Sequence, residues 1–192
     1  MNLIIFGPPG AGKGTQSKFI VKNYNLFQLS TGEILRNEIR NKTELGIKIF
    51  SIMNSGTLVS DEIVSNLIEK FISKKEYKNR FIFDGYPRNL NQAKNLGDLL
   101  EKYEQKIDIV LKLSVSLETV KKRITERRAL ERRPDDTKEI AIKRFETYEK
   151  STKPVIEYYK KLNLLKVVNG ESSIDEINTE ISGLIDLIEG WL

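Results

Sequence analysis

The 192 residues include no cysteine and no histidine. Disulfides are therefore excluded, as are metal sites built on thiolate or imidazole and catalysis by Ser-His-Asp or Cys-His sets. Any metal the chain uses must be a hard, oxygen-bound cation such as Mg²⁺, and no zinc is expected. Pro- or Ser-rich linkers, internal repeats and low-complexity tails are missing as well, which implies a single domain over residues 1–192. No apolar run approaches the roughly 20 residues that a helix needs to cross a bilayer. The chain opens with Met1-Asn2-Leu3-Ile4-Ile5-Phe6, lacks a basic lead and meets a glycine-rich turn at once. That is the pattern of a buried strand, not of a signal peptide. A cytoplasmic protein with no membrane partner is expected.

What is present is ordinary in bulk. Hydrophobic residues make up 39% and charged residues 31%, a soluble composition in a chain long enough to bury a core. The net charge of +5 gives a general attraction to anions. No nucleic-acid-binding motif accompanies it, so no nucleic-acid partner is expected.

Short apolar runs alternate with longer helical patterns. Strands are predicted at Asn2 to Phe6, Phe27 to Leu29, Phe81 to Phe83, Ile109 to Leu113 and Leu165 to Val168. Helices are predicted near Gly14 to Asn23, Gly32 to Arg40, Glu44 to Ser55, Asp61 to Lys74, Leu90 to Glu104, Leu117 to Glu131, Thr137 to Leu162 and Ile174 to Ile188. Strand-helix alternation implies an α/β fold, a parallel sheet with helices on both faces. Residues from about 30 to 60 carry helices without a strand, an excursion suited to covering a substrate. Ser60 and Ser116 stand where helix N-caps belong, and Ser173 with Glu176 three residues on forms a capping-box pattern.

The strongest chemistry lies in Gly7-Pro8-Pro9-Gly10-Ala11-Gly12-Lys13-Gly14-Thr15, between the first strand and the first helix. Glycines let backbone N–H groups approach a polyphosphate closely, and the helix N-terminus adds its positive dipole end. Lys13 would reach the β- and γ-phosphates as a mobile cation. The general phosphate-loop pattern expects a hydroxyl directly after the lysine. Here Gly14 intervenes before Thr15, which points away from a generic ATPase or GTPase toward a narrower family. A second cluster, Phe81-Ile82-Phe83-Asp84-Gly85-Tyr86-Pro87-Arg88, is an apolar strand ending in an acid, a glycine turn and an arginine. Such an acid can face the phosphates and orient Mg²⁺ or its waters, and Arg88 can fork onto phosphate oxygens.

With Leu29 to Arg36, Gly56 to Glu62, Gln92 and Arg133-Pro134-Asp135-Asp136 in order after the loop, the chain resembles the adenylate kinases along its whole length, and specifically their short-lid form. The resemblance implies a phosphate-loop fold, a five-stranded parallel sheet flanked by helices, with a helical insertion at residues 30–59 for the nucleoside monophosphate and a short lid loop at 127–136. It implies reversible, Mg²⁺-dependent phosphoryl transfer from ATP to AMP by a monomer. Gly10, Ala11, Gly12, Lys13, Gly14 and Thr15 match the loop around the ATP phosphates, while Arg123 and Gly170 match positions at the ATP base. Thr31, Arg36, Met53, Val59, Gly85, Arg88 and Gln92 match the AMP site: Arg36 and Arg88 on the phosphate, Thr31 and Gln92 near the adenine. Lys13, Arg88, Arg127, Arg133 and Arg144 match the basic groups around the transferred phosphoryl, with Arg127 on the ATP side and Arg133 and Arg144 also reaching AMP. Asp84 matches the acid near the Mg²⁺ waters, the ion being carried by nucleotide phosphates near Thr15 and Asp84 and not held directly. Asp135 and Asp136 match acids that orient the lid arginines. Arg128 and Arg132 read as solvated surface.

The chemistry agrees with these assignments. Transfer between two nucleotides asks a protein to align donor and acceptor and to neutralise spreading charge. An AMP phosphate is already nucleophilic near neutral pH, so the absent histidines are no obstacle. The rival within the same fold is a UMP/CMP kinase. Such relatives tend to carry alanine where Thr31 stands and to lack a glutamine at the Gln92 position, so both residues favour AMP.

Overall fold

A computed structural model describes residues 1–131 and 137–190. Five strands, β1 (Leu3–Phe6), β2 (Phe27–Ser30), β3 (Phe81–Asp84), β4 (Ile109–Ser114) and β5 (Leu165–Asn169), form one sheet in the order β2-β3-β1-β4-β5. Every neighbouring pair is parallel, as the strand-helix alternation predicts. β1 and β3 are buried at every residue, because both faces of a parallel sheet are covered by crossover helices. β5 lies at an edge and shows it, with Val167 56% exposed.

The side-chain alternation of β1 divides the core in two. Ile4 and Phe6 face one layer, where Phe81, Phe83 and Val110 meet α4 (Asp61–Ile72), α5 (Leu90–Lys102) and α8 (Lys153–Lys161). Leu3 and Ile5 face the other, where Ile82, Ile109 and Leu111 meet α1 (Lys13–Tyr24) and α9 (Ile174–Glu189). Each wholly buried Ile or Leu contributes about 1.5–3 kcal/mol over its exposed state, so the two layers carry most of the stability.

Between β2 and α4 the chain leaves the sheet as α2 (Thr31–Arg40) and α3 (Glu44–Asn54), which pack on each other. Gly46 makes that packing possible, since a Cβ there would lie 2.1 Å from the Glu38 carbonyl oxygen. After β4 the chain forms α6 (Leu117–Glu131) and α7 (Lys138–Thr147), which pack on each other.

The helix predicted over Thr137 to Leu162 is interrupted. A π-helical turn at Tyr148–Thr152 separates α7 from α8. Pro154, at the start of α8, has no N–H to donate into a continuous α-helical ladder, and the chain restarts there. The capping box at Ser173 is formed on both sides, and Ser116 Oγ accepts from the Thr119 N–H. Ser60 is the exception. It occupies the N-cap of α4, but its side chain accepts no capping hydrogen bond.

Candidate functional site

Three strands end level with one another. Ile5 of β1 and Ser30 of β2 both stand opposite Asp84 of β3 in the register. The turns that follow these strands therefore open into one crevice, the position where open α/β sheets bind ligands. The result is a cleft of about 1140 Å³.

The glycine-rich loop forms its floor. Gly12 is the N-cap of α1 at φ 96°, a left-handed conformation that glycine adopts without strain. The turn places Lys13 at the first residue of the helix, and its ammonium folds back to donate to the carbonyls of Gly7 (2.7 Å) and Pro8 (3.0 Å). Desolvation pulls the Lys13 pKa down to about 8, the nearby cations Arg88, Arg144 and Arg127 adding to the fall and Asp84 opposing it. Those neighbours also locate the three arginines: they act on the same lysine from the walls of one cleft. Gly14 and Thr15 follow at the exposed mouth of the loop.

Asp84 is almost buried, 8% exposed, and its Oδ2 accepts from Gln28 Nε2 at 3.0 Å. The next residue, Gly85, has φ 76°, and a Cβ on it would come within 3.1 Å of the Arg88 guanidinium. Its carbonyl accepts from both Thr31 Oγ1 (2.9 Å) and Arg88 Nε (2.7 Å), which ties the end of β3 to the start of α2.

On the same wall, Gln92 lies in the first turn of α5 and is 2% exposed. Its Oε1 accepts from the Arg88 N–H at 2.7 Å and its Nε2 donates to Asp61 Oδ1 at 2.7 Å. Arg36 lines the cleft from α2 with its guanidinium paired to Glu33 at 3.0 Å. Arg123 reaches from α6 to the Ala11 carbonyl (3.2 Å) and the Gly170 carbonyl (2.9 Å), bridging the loop to the end of β5.

Gly10, Ala11, Gly12, Lys13, Gly14, Thr15, Thr31, Arg36, Met53, Val59, Asp84, Gly85, Arg88, Gln92, Arg123, Arg127 and Arg144 all line this one cleft. Gly170 adjoins it through its bond from Arg123. Arg133, Asp135 and Asp136 lie outside the described residues, and Arg127 sits near the end of α6. Sequence reasoning passed over Gln28, whose only signal is its place in β2 two residues before Ser30, where the strand ends ahead of Thr31. It also passed over Tyr148 and Thr152, which the π-helical turn brings to the cleft wall. Thr152 Oγ1 donates to the Arg88 carbonyl at 3.0 Å.

The donor set bears on a metal. Among the described residues no group of three or more carboxylates could hold an ion unaided. One nearly buried carboxylate facing a phosphate-binding loop instead suits Mg²⁺, which keeps its waters and binds through substrate phosphates with one or two carboxylates. Asp84 fits that requirement. No helix among the described residues is long and apolar enough to cross a membrane.

Comparison with known proteins gives one consistent result. The family model described as "Adenylate kinase" matches residues 5–164. A protein of Pelagibacter ubique named "Adenylate kinase" is 42% identical, the match covering 96% of this chain and 99% of that protein. Proteins of the same name from Bifidobacterium longum (41% identical, 94% of this chain and 97% of the relative) and a Caulobacter species (40%, 98% and 100%) are similar over almost their full length.

Proposed function

The chain belongs to the adenylate kinase family, and on that premise we propose that its cleft carries a phosphoryl group from Mg²⁺-bound ATP to AMP, reversibly, giving two molecules of ADP. One observation carries the reading. The glycine-rich loop and the Thr31, Arg36, Arg88 and Gln92 set line a single cleft, together with Lys13 and Asp84. A site for one nucleotide would need only one of these two sets.

In this reading the N–H groups from Gly10 to Thr15 and the dipole of α1 hold the ATP phosphates, and Arg123 and the Gly170 backbone lie at its base. Arg36 and Arg88 grip the AMP phosphate, Thr31 and Gln92 its base, and Met53, Val59 and Gly85 the space between. Lys13, Arg88, Arg127 and Arg144 converge on the transferred group, where they neutralise charge that spreads in the transition state. Arg133 is assigned to the same cluster by resemblance. Mg²⁺ would lie near Thr15 and Asp84 and supply charge neutralisation on the phosphates. Asp84 would orient its waters, with Gln28 fixing the carboxylate. No general base is required, because the phosphate of AMP attacks as an anion.

Residues 30–59 act as the monophosphate-binding insertion and residues 127–136 as a short lid, excluding water that would otherwise take the phosphoryl group. The resemblance to short-lid adenylate kinases supports a monomer, and freely diffusing substrates support a cytoplasmic site of action. A UMP/CMP kinase is not favoured: the relatives named above are all adenylate kinases, and both Thr31 and Gln92 are present.

A coupled assay with Mg²⁺ and ATP as donor tests the proposal. AMP should be the preferred acceptor, and Lys13→Ala should abolish most of its turnover. Faster turnover of UMP or CMP than of AMP would refute the acceptor assignment, and an active Lys13→Ala variant the role of the lysine.

A further inference from the structure

Gln92 is oriented from behind. A primary amide can present its oxygen and nitrogen in either of two senses, which differ only by a flip about the last side-chain bond. Here both senses are not equivalent. Gln92 Oε1 faces the Arg88 N–H, which can only donate, and Nε2 faces Asp61 Oδ1, a carboxylate that can only accept. A flip would set donor against donor and acceptor against acceptor. The same Asp61 oxygen takes the Asn89 amide N–H at 2.8 Å. That fixes Asn89 with its Oδ1 toward the Gln92 N–H, 2.9 Å, as the cap of α5. Asp61 itself does not line the cleft, whereas Gln92 does.

The sense of the amide decides which base edge it can pair. An amide offering one N–H and one carbonyl lone pair matches the adjacent ring acceptor and exocyclic amine of a 6-aminopurine. A 6-oxopurine presents the reverse order of donor and acceptor and needs the flipped amide. We infer that Asp61 is a positioning residue for acceptor specificity: by holding Gln92 in one sense, it makes the cleft select a 6-aminopurine monophosphate over a 6-oxopurine one. The inference rests on the reading above that Gln92 faces the acceptor base. It assigns the choice between the two purines to a carboxylate that never meets the nucleotide.

The test compares AMP with IMP, which differ at that edge. Asp61→Asn keeps the shape but can offer an amino group to Gln92 Oε1, so one of the two locks is removed and only the Arg88 N–H still opposes the flipped sense. Its ratio of kcat/KM for AMP to that for IMP should fall about tenfold, within the range of one lost bidentate pair. The KM for AMP should rise while the KM for ATP stays unchanged. The Gln92 side-chain amide resonances of the nucleotide-free protein should shift, a readout independent of turnover. Asp61→Glu, which keeps a carboxylate, should restore most of the discrimination, and Asp61→Ser repeats the loss should the asparagine variant fold poorly. A ratio within twofold of the parent in both Asp61→Asn and Asp61→Ser overturns the inference, as does an equal loss on AMP and IMP, which marks a merely structural role. Gln92→Leu separates the two layers of the argument. If it keeps the discrimination, the base-reading role of Gln92 is wrong. If it loses discrimination while Asp61→Asn does not, only the role of Asp61 falls.

Discussion

Raising the pH from 7.5 to 9 should weaken the binding of ATP about eightfold, and the cause should be a single lysine. Lys13 of the nucleotide-free protein has its pKa lowered to about 8 by desolvation on the cleft floor, with Arg88, Arg144 and Arg127 adding to the effect against the opposing pull of Asp84. Its place at the first residue of α1 sets it against the positive end of the helix dipole as well. With a pKa of about 8, the charged fraction falls from roughly three-quarters at pH 7.5 to about one-tenth at pH 9. A polyphosphate on the loop restores a high pKa, because it offers charge that offsets desolvation. Binding must then take up the proton the free lysine has lost. An ordinary lysine would stay at least 95% charged, by about the same reckoning, and would give no change over this range.

Isothermal titration of ATP in buffers of different ionisation enthalpy measures both effects at once. Affinity should fall as pH rises through 8, and proton uptake should climb from about a quarter of a proton at pH 7.5 to about 0.9 at pH 9. Lys13→Met should flatten both curves. Asp84→Asn should move the midpoint below 8, since the carboxylate is the one influence that raises the lysine's pKa. The same linkage has a signature without ligand. The native state binds fewer protons than the unfolded state between pH 8 and 10.5, so this term makes the free protein more stable as pH rises across that window. An affinity independent of pH between 7.5 and 9, with no proton uptake, would refute the reasoning.

Two glycines give opposite outcomes. A Cβ on Gly14 would meet nothing within 4 Å, and the position is helical, where alanine is favoured over glycine by up to about 1 kcal/mol. Gly14→Ala should therefore unfold at the same temperature or slightly higher, while its KM for ATP rises at least about tenfold if phosphates occupy the loop. Gly46→Ala would drive a methyl group to 2.1 Å from the Glu38 carbonyl oxygen, backbone that cannot swing aside. Separating α2 from α3 should destabilise the protein by about 3 kcal/mol or more, lowering Tm by about 6–12 °C. The KM for AMP should rise much more than that for ATP.

What the sequence made legible follows from what its signals encode. Glycine spacing between a strand and a helix encodes a close-approaching backbone, so the loop from Gly7 to Thr15 could be read in advance, but not that Gly12 is the left-handed cap of α1. Strand direction could be inferred as parallel because each strand is separated from the next by helix, whereas the order of the strands came only with the structure. The break at Tyr148–Thr152 was hidden, because residues on both sides keep good helical character and Pro154 is tolerated at a helix start. Ser60 stands at the N-cap position its residue type suggests, but the capping hydrogen bond depends on backbone and side-chain geometry that residue type does not encode. Gln28 and Asp61 escaped because their importance lies in a partner from another segment. A glutamine in an edge strand and an acid at a helix N-terminus each have an adequate local explanation. Nothing in the sequence places the one on Asp84 or the other on Gln92.

The resting contacts of the cations give the site a common logic. Lys13 donates to Gly7 and Pro8, Arg88 to Gly85, and Arg123 to Ala11 and Gly170. In each case a charged side chain uses carbonyls of the turns that border the cleft. A buried cation without an acceptor would be costly, by several kcal/mol. The carbonyls supply neutral acceptors at the cleft. Entry of a nucleotide then exchanges neutral acceptors for anionic ones, a step favoured by the greater strength of charge-assisted hydrogen bonds. Arg36 differs, since Glu33 holds its guanidinium. A phosphate at Arg36 must displace or join that carboxylate. The grip of α2 on a monophosphate should therefore be weaker than its arginine alone suggests, whereas Arg88 donates to the Gly85 carbonyl that also accepts from Thr31, which sets its guanidinium beside the start of α2.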